Sequence, residues 1–592
     1  MKALPWGLAL GGLAALGAGQ AAPALADATD PGAAGIEFHG ALSYGTSVRT
    51  RSRDAALVSA GNGAAVGMAG TAPSGRNSDD GNLNFARHDA VSTVLKGVGS
   101  AEVKRGSAGG LLRAKFWDDL VLSDEGRPWG NTINGYASGQ PLGENGLRPR
   151  TRFTGLVVQD AYVYDTYAVG GLPLYARLGQ QNIAWGQGWR ILGGLSALTP
   201  LDLPAINRPG ALPEESTVPF PALFGRLGIS DDMNLESFYQ IAYRPSELNA
   251  CGTFFSAQDY NATGCNRVLL AGANDRLGLS SGLYGKRAPT PDVSDSGQFG
   301  FGVTYRVAAL ATEFGAYGAR YHSRWPYTGA VKTTRASTPF IPGDPDGRNA
   351  LYLTEYPEDI RVSALTWKTA AGGLAFNGEL SYLPNQPVQI NSADLLNAFS
   401  SNTAPSELRA IAAATPLGAV YHGYDRLRVT QLLMSLGQRW KQGLGGENLA
   451  LSAEAGVKHV HDLPDPAVRR YGRSDLYGVG PVASVCTGGA AQCSFDGYVS
   501  PTSWGYRLRA SVTYRGVAPE LDLTPTIAFA SDVRGWSHDT VFIQGRRVGT
   551  VALQATYRRM YTASLAWNPT WGGAYNSMRD RSYATASVGL RF

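Results

Sequence analysis

The sequence has neither a long internal apolar run nor a block of charge of one sign. No internal stretch reaches the roughly 18 apolar residues that a transmembrane helix needs. The 52 basic and 47 acidic residues of this 592-residue chain are mixed along its length, with a formal net charge of +5. Such mixing provides no basic patch for nucleic acid. We therefore expect neither a helical membrane protein nor a nucleic-acid partner.

Catalytic motifs are also missing. The chain has no G-x-S-x-G elbow and no H-E-x-x-H helix. His459 and His461 share one face of a predicted strand and are followed closely by Asp462. That spacing could hold a metal, but the end of a membrane strand favours an interfacial role. We predict no catalytic residue, no metal site and no cofactor, and we do not expect an enzyme.

The N-terminus carries the pattern of an export signal. A charged start at Lys2 precedes a short apolar stretch, Leu8 to Leu16, and the small-x-small sequence Ala24-Leu25-Ala26. This pattern is typical of a cleaved signal peptide. We predict a signal peptide over residues 1–26 and a single mature domain over residues 27–592.

Cysteine is scarce, and the four present form two close pairs, Cys251 with Cys265 and Cys486 with Cys493. In an exported protein, local pairs of this kind indicate disulfides that close surface loops. Other metal-ligating residues are absent near either pair. We predict two loop disulfides.

What the sequence has in abundance is glycine, aromatic residues and period-2 alternation. The 75 glycines and 28 tyrosines favour a β protein with many turns. In residues 504–515, six apolar residues alternate with polar ones that include Arg507 and Arg509. A strand with lipid on one side and water on the other has this pattern. The same alternation recurs along the chain.

We predict an all-β fold, a single large transmembrane antiparallel β-barrel of about 18 strands, with 16 to 20 as the range. Links after even-numbered segments are short and links after odd-numbered ones are mostly long, as in barrels with periplasmic turns and extracellular loops. The predicted strands are 36–50, 90–104, 109–120, 153–166, 172–183, 222–230, 233–244, 297–308, 310–323, 360–370, 373–383, 426–440, 448–460, 503–516, 520–532, 547–558, 560–570 and 580–592.

Segments 156–165, 360–368 and 427–438 carry apolar residues on both faces. Two explanations remain open from the sequence. Either these strands pack against a plug inside the barrel, or the register assigned to them is wrong.

Two long links are unusually apolar for extracellular loops, which predicts that they fold into the lumen. Residues 191–206 and 393–413 could form a constriction, line an entrance for an apolar ligand, or pack together as a plain cap. With the inward arginines, which either neutralise lumen charges or select a solute, they form a candidate substrate pathway. Its residues are Leu192, Leu195, Leu198, Leu395, Leu396, Phe399, Arg507 and Arg509.

The last predicted strand has an apolar face that contains Val588, Leu590 and Phe592. An amphipathic strand with a terminal aromatic residue resembles the signal read by the outer-membrane barrel assembly machinery. We predict that these three residues face membrane lipid and act in assembly.

Several short motifs resemble a proteobacterial outer-membrane family known as domain of unknown function 1302. The motifs span nearly the whole mature chain, and none is catalytic, so no functional residue is carried over. They are Gly179-Gln180-Gln181 with Trp185-Gly186, Leu198-Thr199-Pro200-Leu201-Asp202, Arg208-Pro209-Gly210, Asn234-Leu235-Glu236-Ser237-Phe238-Tyr239-Gln240, Asp80-Gly81-Asn82-Leu83-Asn84-Phe85, Cys251-Gly252-Thr253-Phe254-Phe255-Ser256, Tyr382-Leu383-Pro384-Asn385-Gln386-Pro387 and Gly423-Tyr424-Asp425-Arg426.

The resemblance implies a large barrel in the outer membrane of a Gram-negative cell. It also implies two partners, a periplasmic lipid-binding-like lipoprotein and an exporter of the resistance-nodulation-division type, and hence traffic of hydrophobic compounds. Our leading hypothesis is passage of hydrophobic or amphipathic compounds across or into the outer membrane. The alternative is a solute-selective porin, and an outer-membrane enzyme is the least favoured.

Overall fold

The computed structural model describes residues 35–188, 190–483, 486 and 493–592, so the predicted signal peptide lies outside the described residues. Eighteen antiparallel strands form one closed barrel. The strands are β1 Gly35–Arg49, β2 Ala90–Arg105, β3 Ala108–Asp119, β4 Thr154–Val169, β5 Leu172–Gln181, β6 Phe220–Gly228, β7 Met233–Gln240, β8 Phe299–Val307, β9 Thr312–Tyr321, β10 Ile360–Ala371, β11 Leu374–Gln389, β12 Tyr424–Lys441, β13 Asn448–Val460, β14 Thr502–Ala518, β15 Leu521–Arg534, β16 Arg547–Tyr557, β17 Tyr561–Asn568 and β18 Tyr583–Arg591.

Each strand pairs with its neighbours in the chain, and the first strand pairs with the last. Ala41 lies opposite Arg591 and Arg49 lies opposite Tyr583, so β1 and β18 close the ring. A closed ring leaves no unpaired strand edge, which is what a barrel in lipid requires because hydrocarbon offers no hydrogen-bonding partner. Each of the predicted strand segments overlaps one observed strand, so the predicted fold class is confirmed.

The lengths of the connections also follow the prediction. At one end of the barrel the strands are joined by short turns such as 170–171, 372–373 and 519–520. At the other end they are joined by long loops such as 50–89 and 241–298. We take the short turns as periplasmic and the long loops as extracellular.

The outer wall of the barrel is apolar. Phe38, Leu156 and Phe301 project outward and are 71%, 73% and 63% exposed in the isolated chain. Similar side chains surround the wall on other strands, including Ile527 and Leu565. So large an exposed apolar surface is unfavourable in water and is satisfied by lipid. The barrel is therefore a transmembrane one.

The long loops carry the remaining secondary structure. No helix in the described ranges is long and apolar enough to cross a membrane. One loop sheet joins Tyr327–Val331, Leu351–Glu355 and Val420–Tyr421, and a second joins Arg267–Leu269 to Tyr284–Lys286. The α-helices are α1 Ala60–Ala65, α2 Asp80–Leu83, α3 Leu120–Ser123, α4 Leu203–Asn207, α5 Asp275–Ser280, α6 Ser392–Ser400 and α7 Arg409–Ala414.

Both predicted disulfides are present. Cys251 is bonded to Cys265, and Cys486 is bonded to Cys493. All four residues lie in long loops on the extracellular side. The bridges therefore constrain loops and leave the barrel wall free of covalent links.

The last strand shows the predicted orientation. The side chains of Val588 and Phe592 lie on the outer wall, where they are 57% and 65% exposed. The backbone of Phe592 exchanges two hydrogen bonds with that of Gly40, of 2.8 and 3.0 Å. This face therefore meets lipid at the seam of the ring, while its part in assembly stays a prediction.

We expect Leu590→Arg to impair membrane insertion, because a charge in the lipid-facing band costs about 2–4 kcal/mol at mid-bilayer and less near the interface. Arg591→Ser, at the adjacent residue with the opposite orientation, serves as the control and should insert normally. Heat-modifiable migration on gels distinguishes folded from unfolded barrels. Normal insertion of Leu590→Arg together with failure of Arg591→Ser would show that the faces are reversed.

Candidate functional site

Residues 182–219, which join β5 to β6, fold into the barrel interior, and we name them the crossing segment. Ile191, Leu195 and Ile206 are buried in it almost completely. A buried stretch with little regular structure must find partners for its backbone groups. The inward-facing charged side chains of the wall provide these partners.

One side of the wall holds the second half of the crossing segment. The Nζ atom of Lys115, on β3, donates to Asp202 Oδ2 at 2.8 Å and to the Glu215 carbonyl at 2.9 Å. Lys96, on β2, forms a fully buried ion pair with Glu215. The Glu215 carboxylate also accepts from the Leu212 amide at 3.0 Å. Two lysines from adjacent strands thus fix this half.

The far side of the wall holds the first half. The Glu379 carboxylate, on β11, accepts from the amides of Gln187 and Leu195 at 3.0 and 2.9 Å. The Glu454 carboxylate, on β13, accepts from the amides of Arg190 and Ile191 at 3.0 and 3.1 Å.

Lys458, also on β13, donates to the Leu192 carbonyl at 2.6 Å. In the ring of 18 strands, β11 and β13 stand across from β3. The crossing segment therefore spans the lumen from wall to wall.

The crossing segment explains two of the three strands that have apolar residues on both faces, β10 and β12. Ile360 and Val362 of β10 and Val429 of β12 point inward and are almost fully buried. They belong to one hydrophobic cluster with Leu195 and Leu198 of the crossing segment. Packing against an interior segment therefore explains β10 and β12. In segment 156–165 the pairing of β4 with β3 shifts between Val158 and Asp160, so there the second explanation, a wrongly assigned register, holds.

A cavity of about 390 Å³ lies beside the crossing segment on the loop side of the barrel. Seven extracellular connections contribute to its lining, among them the crossing segment, 241–298, 461–501 and 535–546. Apolar side chains are prominent in the lining, among them Leu192, Leu201, Leu248, Trp325, Phe542 and Met578. A concave site of this size with an apolar lining is typical of a small-molecule site.

The charged side chains that line the cavity are mostly engaged with protein partners. Arg324 donates to Gln240 at 2.7 Å, to Gln298 at 3.0 Å and to the Leu198 carbonyl at 3.1 Å. Arg546 pairs with Asp532 at 2.6 Å. The cavity therefore offers apolar surface more than free charge.

His538 and Asp539 bring two titratable groups to the cavity. Burial lowers the pKa of His538 to about 4, so the ring is neutral at physiological pH. Burial alone would raise the pKa of Asp539, but Lys458 and His538 hold it below its ordinary value. Asp539 forms an ion pair with Lys458. The net charge of this cluster is therefore close to zero.

Five of the eight predicted pathway residues lie in the cavity lining or in the hydrophobic cluster beside it. Leu192 lines the cavity directly. Leu195 and Leu198 are buried behind the lining, in the same hydrophobic cluster as Leu395 and Phe399. The two apolar links thus meet in one cluster, and the link at 393–413 forms α6 and most of α7.

Leu396 and the two predicted arginines lie elsewhere. Leu396 packs against a loop cluster that contains Tyr260 and Tyr352. Arg507 is buried in the wall and pairs with Asp532 at 2.8 Å. Arg509 is only partly buried on the same inward face, and its charge acts on Arg190 of the crossing segment. Arg507 therefore neutralises a lumen carboxylate, and Arg509 adjoins the crossing segment.

The histidine pair shows no metal-binding arrangement. His459 Nδ1 contacts the Thr502 hydroxyl at 2.9 Å, and His461 Nε2 contacts that of Thr430 at 2.8 Å. Asp462 pairs with Arg428 at the surface. These contacts agree with a role at the membrane interface.

The alternation in β11 and β13 puts Glu379 and Glu454 on inward faces but does not mark them as anchors of an interior segment. Sequence reasoning also missed Lys96, Lys115 and Lys458 as anchors. Lys96 interrupts an otherwise apolar or small inward face, whereas Lys115 and Lys458 share their inward faces with Arg113 and Glu454. The interruption at Lys96 is the signal that could have pointed to an interior partner. The cavity lining from loop 535–546 had no comparable signal.

A family model described as "Protein of unknown function (DUF1302)" matches residues 6–592. The chain belongs to the DUF1302 family. No curated protein sequence matches it. Membership in this family confirms the resemblance found in the sequence motifs, and the family description itself names no activity.

Among solved structures, the chain is similar to three barrels at low identity. OmpF of Salmonella typhi in complex with daunomycin is 9% identical with a TM-score of 0.36, covering 94% of this chain and 97% of that one. OccAB1 of Acinetobacter baumannii is 9% identical with a TM-score of 0.38, covering 94% and 96%. A BenF-like porin from Pseudomonas fluorescens Pf-5 is 8% identical with a TM-score of 0.38, covering 94% and 98%.

We expect Glu379→Ala to release the first half of the crossing segment. Each hydrogen bond to a charged group contributes about 1.5–3 kcal/mol, and two buried amides would lose their acceptor. The barrel should still fold, and its planar-bilayer conductance should rise. Glu313→Ala, which removes an exposed carboxylate paired with Lys368, is the matched control. Equal conductance of the two variants would contradict the anchoring role of Glu379.

Proposed function

We propose that this barrel passes hydrophobic or amphipathic compounds across or into the outer membrane of a Gram-negative cell. The observation that carries the proposal is the apolar cavity beside the crossing segment. An apolar compound gains about 25 cal/mol for each Å² of apolar surface that it removes from water. Leu192, Leu201 and Trp325 offer such surface in the lining of the cavity.

The arrangement of charge also supports apolar cargo. The inward charges of the wall, Lys115, Glu379 and Glu454 among them, bind the crossing segment. A pore that selects ions needs exposed charge along its pathway. Here these groups are bound to the crossing segment, which supports apolar cargo over the passage of ions through an open aqueous channel.

The proposal includes the cellular setting. The barrel would reach the outer membrane after signal-peptide export and would be inserted by the barrel assembly machinery. Its apolar outer wall would then contact outer-membrane lipid. A periplasmic lipid-binding-like lipoprotein and an exporter of the resistance-nodulation-division type would serve as partners. The barrel itself would carry out no reaction.

We expect Leu192→Asn to weaken binding of an amphipathic probe such as dodecanol about tenfold or more, because an apolar side chain contributes about 1.5–3 kcal/mol when buried against a ligand. Titration calorimetry on the barrel in amphipol measures this. Leu444→Asn, at an exposed leucine in a periplasmic turn, is the control and should bind as the unaltered protein does.

The porin alternative makes the opposite prediction. A solute-selective porin would show a stable, large conductance in planar bilayers and rapid swelling of liposomes in sugars, with no saturable dodecanol binding. That combination of results would replace the present proposal.

A further inference from the structure

A cluster of buried carboxylates lies in the extracellular loops. Asp79 and Asp80 come from loop 50–89, and Asp275 begins α5 in loop 241–298. One carboxylate oxygen of each residue lies within 4.8 Å of those of the other two, and all three side chains have no exposure to solvent. Asp259 and Asp475 are buried next to them.

Two oxygens of this cluster are without a hydrogen-bond donor. Oδ2 of Asp80 and Oδ2 of Asp275 are both fully buried and unpartnered. The two carboxyl groups lie close enough to share a proton. A buried acceptor with no donor carries a desolvation cost of about 1–3 kcal/mol, more for a charged group. The vacant lone pairs point to a ligand that is positively charged.

The remaining oxygens are held in place by the loops. Asn62 donates to Asp79 at 2.9 Å and to Asp275 at 2.8 Å, and so joins the two loops. The indole of Trp129 donates to Asp80 Oδ1 at 2.7 Å. The amide of Ser59 donates to Asp79 Oδ2 at 2.8 Å. These neutral donors orient the carboxylates but do not cancel their charge.

The basic side chains near the cluster do not form ion pairs with its carboxylates. Within the described residues, none of the five carboxylates forms an ion pair of 4 Å or less. Arg76 and Arg581 act on the cluster from farther away and donate instead to the carbonyls of Gly272 and Phe254, each at 2.7 Å. Burial and mutual repulsion therefore raise the pKa of Asp79 and of Asp80. Burial likewise raises the pKa of Asp475 to about 6.

We propose that Asp79, Asp80 and Asp275 form a calcium site that ties loop 50–89 to loop 241–298. Calcium takes carboxylate oxygens at 2.3–2.6 Å, so oxygens on opposite sides of the ion are about 5 Å apart, which suits the spacing of this cluster. Magnesium demands shorter bonds and keeps more of its water. A medium outside the cell supplies the ion to loops on this face.

The site would also bear on the cavity. Loop 241–298 supplies Leu248 and Phe255 to the cavity lining. The neighbouring Asp475 accepts from Ser78 at 2.8 Å and extends the contact to loop 461–501. Calcium bound at the cluster therefore fixes the loops that enclose the cavity.

The test uses the full barrel in amphipol with terbium as the probe. The indole of Trp129 lies against Asp80, so a lanthanide at the cluster should show luminescence sensitised by tryptophan and displaced by calcium. Asp80→Asn and Asp275→Asn should each weaken terbium binding at least tenfold. Asp124→Asn, at an exposed carboxylate of another loop, should bind as the unaltered protein does. Equal signals from all variants would overturn the proposal.

A second measurement uses only the unaltered barrel, so it does not require any variant to fold. A cation that binds only the folded barrel raises its melting temperature, so the unaltered protein can be compared in chelator and in each cation. At about pH 8, calcium should raise the melting temperature above its value in chelator, and magnesium should raise it less. A melting temperature at this pH that is the same in calcium and in chelator would overturn the proposal.

Discussion

The pairing of every backbone amide and carbonyl in the wall is the constraint on which the rest of this structure depends. Lipid offers no hydrogen-bonding partner, so a spanning sheet must close on itself. Here β18 pairs with β1, and Phe592 exchanges backbone hydrogen bonds with Gly40 at the seam. Closure in turn creates an interior, and with 18 strands this interior is too wide for side chains alone to fill. The crossing segment spans it.

A chain segment inside a barrel meets the same requirement as the wall does, because its own backbone groups also need partners. Glu379 and Glu454 accept from amides of the crossing segment, and Lys115 and Lys458 donate to its carbonyls. Charged side chains suit this task because they form stronger hydrogen bonds than neutral ones. A buried charge that loses its partner costs free energy. The folded wall and the crossing segment therefore stabilise each other.

The strands of the barrel could be predicted from the sequence, but the contacts in its interior could not. The reason is that the interior contacts join residues that are far apart along the chain. Alternation in a strand such as Trp504–Arg515 is local, so strand positions, faces and loop lengths could be predicted from it. The bond between Glu379 and Leu195 joins residues 184 positions apart. The cluster of Asp79 with Asp275 is likewise formed by distant loops. Such partners carry no local pattern, apart from inward apolar residues such as Val362, which indicate that something packs against them.

The barrel interior and the outer loops stabilise their buried charged groups in different ways. In the lumen, acidic and basic groups alternate around the crossing segment and satisfy one another, as Lys96 does with Glu215. In the loops, Asp79, Asp80 and Asp275 are all acidic, and repulsion opposes their approach. The lumen is therefore stable on its own side chains, whereas the loop cluster needs protons or a cation. This asymmetry leaves the crossing segment fixed and makes the loops around the cavity the part of the barrel that responds to its surroundings.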